Sequence, residues 1–161
     1  SQVQNQCTML SDFQIIPSVQ PTHATSDMYW ADERLGPERI KSAYAYEELR
    51  KQNGWIPLGT DFPIEKTNPL HTYFAAVTRM DTDLYPADGF QMENALTRQD
   101  ALRGITIWAA KAGFEEDRKG SLEVGKFADF VVLKKDLLNM PVQDIPSQTI
   151  ERTYLNGERV F

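Results

Sequence analysis

Two short apolar runs set the architecture: FQIIPSVQ at residues 13–20 and WIPLG at residues 55–59. The first is rich in β-branched residues and is bent by Pro17, and it reads as a buried strand; the second reads the same way. The first gives way to PTHATSD (21–27), small polar residues that predict a loop, and the second stops abruptly at TDFP (60–63). Helical sequence follows each. Gly36-Pro37 opens one helix, with proline at a first position where its missing N–H costs nothing. Ile40, Ala43, Tyr44 and Leu49 keep roughly helical spacing, and Asn53-Gly54 is the stop. Asn68-Pro69 opens the other helix as N-cap and first residue, and Leu70, Tyr73, Phe74 and Val77 give it an apolar face at i, i+3, i+4, i+7. Strand, loop, helix, repeated, is the pattern of consecutive βα units on a parallel sheet.

Downstream, residues 81–94 form a polar loop containing Pro86 and Gly89. Thr97-Arg98-Gln99-Asp100 then resembles a capping box, with Asp in place of Glu or Gln. It opens a helix carrying Ala101, Leu102, Ile105, Trp108, Ala109 and Ala112 on one face and closing near Gly113. After Gly120 the period changes. Residues 121–124, 130–133 and 149–154 read as short strands, and Asn156-Gly157 is the strongest hairpin signal, because a type I′ turn needs positive φ at both central positions. The expectation is therefore an α/β part over residues 1–119 and an antiparallel β part over residues 120–161. Two parallel strands cannot cover both their faces or close their edges. Either they pair with another copy, or the chain is part of something longer; the second is favoured.

The 161 residues are 41% hydrophobic and 25% charged, an ordinary globular composition. Seventeen Lys and Arg against 23 Asp and Glu leave a net charge of −6 without a basic cluster, which argues against a nucleic-acid partner. No apolar run approaches the roughly 18 residues that suggest a membrane span, so no membrane partner is expected. Cys7 is the only cysteine, which excludes an internal disulfide and fits a reducing, cytoplasmic setting.

Ligands of α/β folds collect at the carboxyl ends of strands. Asp61 lies just past the second run, between Gly59 and Pro63, where a carboxylate is either a rigidly placed metal ligand and proton acceptor or the cap of a turn. His23 lies just past the first run, where it either touches a substrate or metal or serves as a surface hydrogen-bonding residue. His71, in the first turn of the second helix, reads as an exposed helix residue. Tyr29-Trp30 is either a stacking rim or a core or interface element, residues 90–94 are a mixed polar loop able to line a site, and Gly120 to Gly125 mark turns rather than a phosphate loop. With two histidines and no HxH, HExxH or CxxC spacing, a zinc site from this chain alone has few donors.

The stretch GSLEVGKFADFVVL (120–133) resembles the C-terminal signature of the amidohydrolase superfamily, with a late NG hairpin like that at 156–157. Upstream, SVQPTHATSDMYWADERLG (18–36), LGTDFPIEKTNPL (58–70) and ALTRQDALRGITIWAAKA (95–112) are similar to amidohydrolase family 3, whose members include enzymes like N-substituted formamide deformylase. Four segments in the family's order cover nearly the whole chain. The resemblance implies a (β/α)8 TIM-type barrel carrying one or two metal ions, usually zinc, with a small β-sandwich. Residues 13–20 and 55–59 would then be its last two strands and residues 120–161 part of the sandwich. It further implies Asp61 as metal ligand and general base, and His23 as a substrate-binding residue. The HxH pair, the side chain near strand four and the two further histidines of the family are missing, and residues 1–3 begin just beyond the place of the last.

Two readings follow. In one, the chain is the C-terminal fragment of a metal-dependent hydrolase of non-peptide C–N bonds, acting on a small amide-type substrate. The fragment is then inactive in isolation and without tightly bound metal, and its partner is the missing N-terminal part or another copy. In the other, it is a non-catalytic scaffold module that self-associates through its strand edges.

Overall fold

A computed structural model describes residue 10 and residues 12–161; residues 1–9 and 11, with Cys7 and the expectation for residues 1–3, lie outside the described residues. The elements in order are α1 (Pro21–Asp27), α2 (Ala31–Arg39), α3 (Tyr46–Asn53), α4 (Pro69–Thr78), α5 (Arg98–Gly104), α6 (Ile107–Ala112), β1 (Phe130–Leu133), β2 (Ile150–Leu155) and β3 (Glu158–Arg159), with three short 3-10 turns between. The described residues form a mixed α/β structure with one small antiparallel sheet of order β1-β2-β3.

The two apolar runs do not extend into full strands. They meet in a single parallel bridge, Val19 to Leu58, closed by Val19 N–H to the Pro57 carbonyl at 3.2 Å and Gly59 N–H to the Val19 carbonyl at 3.0 Å. Leu58 N–H turns the other way and donates to the Gly104 carbonyl at 3.0 Å. The second run is thus held between the first and the end of α5, and Ile56 is completely buried there.

Local capping chemistry forms as expected. The Asn68 side chain accepts from Leu70 N–H at 3.0 Å, and the α4 face of Leu70, Tyr73 and Phe74 is buried. Thr97 accepts from Asp100 N–H at 3.0 Å, but the Asp100 carboxylate faces Arg50 and Arg103 rather than closing the box. Asn156 (φ 51°) and Gly157 (φ 81°) make the tight turn of the β2–β3 hairpin.

Four further expectations are corrected. Residues 21–27 are a helix, not a loop: Pro21 presets the first turn, and Ala24 and Thr25 are buried, so packing against α4 overrides poor intrinsic propensity. The single helix expected from residue 37 is broken. Its expected start holds, since Gly36 (φ 77°, ψ 167°) interrupts α2 just before Pro37, but a 3-10 turn follows at Ile40–Ser42 and the chain leaves helical geometry at Ala43 before α3. The helix expected over residues 97–113 divides into α5 and α6, because the Gly104 carbonyl, which a continuing helix would use, is taken by Leu58. Residues 121–124 are not a strand; left-handed glycines at 120 and 125 turn the chain, and Val124 is fully exposed.

The core runs from Val19, Ile56 and Leu58 through α4 to Leu96, Ala101, Leu137, Met140 and Ile145. Tyr73 OH donates to the Leu137 carbonyl at 3.1 Å, and Arg98 Nη1 donates to the carbonyls of Leu137 (2.9 Å) and Met140 (2.7 Å). These bonds fasten the segment after β1 to the helices.

Candidate functional site

The Val19–Leu58 bridge dictates where the two candidate residues go. One turn beyond Val19, His23 sits in the first turn of α1, its N–H bonded to the Gln20 carbonyl at 3.0 Å. Three residues beyond Leu58, Asp61 adopts φ 55°, and its carbonyl accepts from Ile64 N–H at 2.8 Å, so the chain folds back at once. His23 Nε2 and Asp61 Oδ2 come within 3.5 Å. The histidine side chain is 27% exposed and the carboxylate 49%. Nε2 itself is buried and makes no hydrogen bond among the described residues. A second tie runs alongside, from Ser26 Oγ of α1 to Glu65 Oε1 at 2.7 Å. Phe62 and Ile64, 65% and 73% exposed, flank Asp61 and leave the pair on an apolar rim.

Such a pair offers one nitrogen and one oxygen donor of the kind that hold zinc, and an orphaned Nε2 beside a carboxylate is the chemistry of part of a metal site. A catalytic zinc needs three protein ligands and an open position. Among the described residues no group of three His, Cys, Asp or Glu converges, so the pair is at most a fraction of a donor set.

The other sequence candidates go elsewhere. His71 is half-buried rather than exposed; burial, and then the nearby Lys66, hold its pKa below the ordinary 6.5, against a hydrogen bond with Pro146. It lines a cavity of about 190 Å³ together with Thr22, Ser26, Tyr29, Glu65 and Lys66, beside the pair but not containing it. Tyr29 does not stand free at a rim: its hydroxyl donates to Asp81 Oδ2, and its ring stacks on Tyr85 at 5.7 Å. That bond to Asp81 is the main reason its pKa is pushed up to about 12. Phe90 and Gln91 face Arg79, whose Nε donates to the Phe90 carbonyl at 2.8 Å. A larger groove of about 990 Å³, between α5–α6 and β1, is lined by neither member of the pair. Sequence reasoning missed Tyr44 and Tyr46, whose hydroxyls reach Asp27 of α1 and Gln20 at its N-cap, and Arg79, whose guanidinium lies over the Tyr46 ring; the closely spaced Tyr-Ala-Tyr was the available signal.

Residues 4–161 match the family model described as the amidohydrolase family. The chain belongs to the amidohydrolase family. Among its relatives, the LONG AFTER FAR-RED 3 protein of Arabidopsis thaliana is 34% identical over 152 residues, covering 91% of this chain and 25% of that protein. An N-substituted formamide deformylase of Arthrobacter pascens is 29% identical over 102 residues, covering 63% of this chain and 18% of that enzyme. Among solved structures, a metal-dependent hydrolase from Pyrococcus horikoshii superposes with a TM-score of 0.74 at 32% identity, over 86% of this chain and 28% of its own. This amidohydrolase chain therefore spans about a quarter of the length of its relatives. The family-3 resemblance read from residues 18–36, 58–70, 95–112 and 120–133 is the one these comparisons support. Among the described residues, no helix is long and apolar enough to cross a membrane.

Proposed function

We propose that this chain is the C-terminal part of a metal-dependent amidohydrolase that cleaves a non-peptide C–N bond in a small amide-type substrate. The observation that carries the proposal is the approach of His23 Nε2 to Asp61 Oδ2 at 3.5 Å, just past two segments joined by a parallel bridge. In this reading residues 13–20 and 55–59 are the last two strands of a (β/α)8 barrel, and residues 120–161 belong to a β-sandwich. Carboxyl ends of parallel strands are where such folds assemble their chemistry. A divalent cation, zinc being the expected one, supplies an acidified water and a polarised carbonyl when bound.

Asp61 is the donor this chain contributes, and its carboxylate is the base that takes a proton and passes it to the leaving amine. Half-exposure keeps that carboxylate open on the substrate side. His23 binds the substrate, offering a ring N–H to an acceptor oxygen while α1 holds the ring over Asp61. The exposed Phe62 and Ile64 exclude water from that side once a substrate or the rest of the protein covers them.

Because the pair is a fraction of a donor set, the chain alone is expected to be inactive and to keep no tightly bound zinc. Elemental mass spectrometry after zinc incubation and desalting tests this, alongside the same measurement on a longer protein carrying the remaining donors. Near-stoichiometric zinc and amide hydrolysis are expected of the longer protein, with hydrolysis reduced at least a thousand-fold by Asp61→Asn. Hydrolysis that survives this substitution would overturn the assignment.

A further inference from the structure

We propose that Tyr44 and Tyr46 form a clamp that sets α1, and with it His23, against Asp61, which makes them positioning residues of the site described above. The inference rests on that reading of His23 and Asp61.

The two hydroxyls hold the two ends of one helix. Tyr44 OH donates to Oδ2 of Asp27, the last residue of α1, at 2.8 Å. Tyr46 OH donates to the carbonyl of Gln20, its N-cap, at 3.1 Å. Gln20 supplies no side-chain cap of its own. Seven helical residues span only about 10 Å, within reach of two neighbouring tyrosines.

The backbone is arranged for this. In a continuous helix residues two apart point to different faces. Here Ala43 is extended (ψ 148°) and Tyr44 sits at φ 55°, a left-handed conformation unfavourable for so bulky a residue. The result is that both rings address α1.

The clamp also has a pedestal. Arg79 is completely buried, with its guanidinium carbon 5.1 Å from the Tyr46 ring centroid and 5.8 Å from that of Phe90. Tyr44 meets Tyr46 and Phe90 edge-on at 6.4 and 6.2 Å. Burial draws the Arg79 pKa down to about 10, so the cation persists at neutral pH and the cation–π contact holds. Burial, then the bond to Asp27, pushes Tyr44 up to about 12, so its phenol stays protonated and donating. His23 Nε2 makes no hydrogen bond among the described residues and meets Asp61 Oδ2 only at 3.5 Å, so the placing of α1 bears directly on that approach.

The test is a metal-free NMR cycle on the chain, reading the His23 Cε1–H signal, assigned by its loss in His23→Asn. Asp61→Asn is expected to move that signal in the parent chain and to move it less than half as far in a Tyr44→Phe/Tyr46→Phe background, with the His71 signal unchanged in both. Asp27→Asn, whose amide oxygen still accepts from Tyr44, is expected to preserve the response, while Asp27→Ala reduces it. An undiminished response in the folded double-Phe variant overturns the clamp. If that variant loses its dispersed methyl spectrum, equal behaviour of Asn and Ala at position 27 overturns it instead. No response to Asp61→Asn in the parent removes the contact and the clamp together, whereas failure of the zinc experiment alone leaves the clamp standing.

Discussion

Gly104→Ala opposes two effects of known size. Gly104 is the last residue of α5, and by helix propensity alone alanine there should stabilise by up to about 1 kcal/mol. Packing says the reverse. A Cβ on Gly104 would stand 2.5 Å from Leu58 Cγ, 2.7 Å from Leu58 Cδ1 and 3.3 Å from the Ile56 carbonyl oxygen. Cγ is the branch point of a side chain only 6% exposed, and Ile56 is completely buried, so neither neighbour can swing clear. The Leu58 N–H to Gly104 carbonyl bond resists separation of helix and strand as well. Overpacking of this kind costs about 1–3 kcal/mol. With two contacts this short the upper half of that range applies, and the net is a destabilisation of about 1–2 kcal/mol.

Equilibrium urea unfolding measures it, with a fall in Tm of about 3–6 °C for a chain of this size. The mechanism is checked by a cycle. Leu58→Ala alone costs about 2–5 kcal/mol, but in that background Gly104→Ala should cost nothing, a coupling of about 1–2 kcal/mol. Gly104→Ala as stable as the parent, or additive with Leu58→Ala, would refute the claim that this glycine is there for a close helix–strand approach. Since Asp61 lies three residues beyond Leu58, the same variant should weaken the Asp61→Asn response of His23.

Asn68→Ala removes the N-cap of α4 and should cost about 1 kcal/mol in urea unfolding, while Asn68→Asp, which keeps the acceptor, should cost almost nothing. His71 titrates below the ordinary 6.5 in the folded chain, so in that window the unfolded chain binds more protons. Stability should therefore fall as pH drops below about 6.5, and His71→Gln should flatten that part of the profile measured by urea midpoints. Gly157→Ala places a Cβ 3.8 Å from Ala128, which is open enough, but at φ 81°; conformational strain of about 1–2 kcal/mol is expected, with no change in the His23 spectrum.

What could be read from residues alone divides by the range of the interaction responsible. Asn68 caps α4 through a partner two residues away, and Asn156-Gly157 turns the hairpin through its own φ angles, so both were legible. α1 was not, because PTHATSD has little helical preference and its helix depends on burial of Ala24 and Thr25 against a segment more than forty residues later. The two apolar runs were recognisable, yet nothing in either one foretells that their pairing stops at a single bridge, with Leu58 N–H given to α5 instead. The site follows the same division. His23 and Asp61 each stand out by position, but their 3.5 Å approach is produced by that bridge and by the turn at Asp61. Tyr44 and Tyr46 stayed hidden for a sharper reason: helical spacing of Ile40, Ala43, Tyr44 and Leu49 predicts one unbroken helix, and only the left-handed Tyr44 turns both phenols onto α1. A helix with weak propensity and a break in one with good propensity are therefore one feature seen from two sides. The second element gives up its continuity, and the tertiary hydrogen bonds it makes in return are those that hold the first, which carries His23.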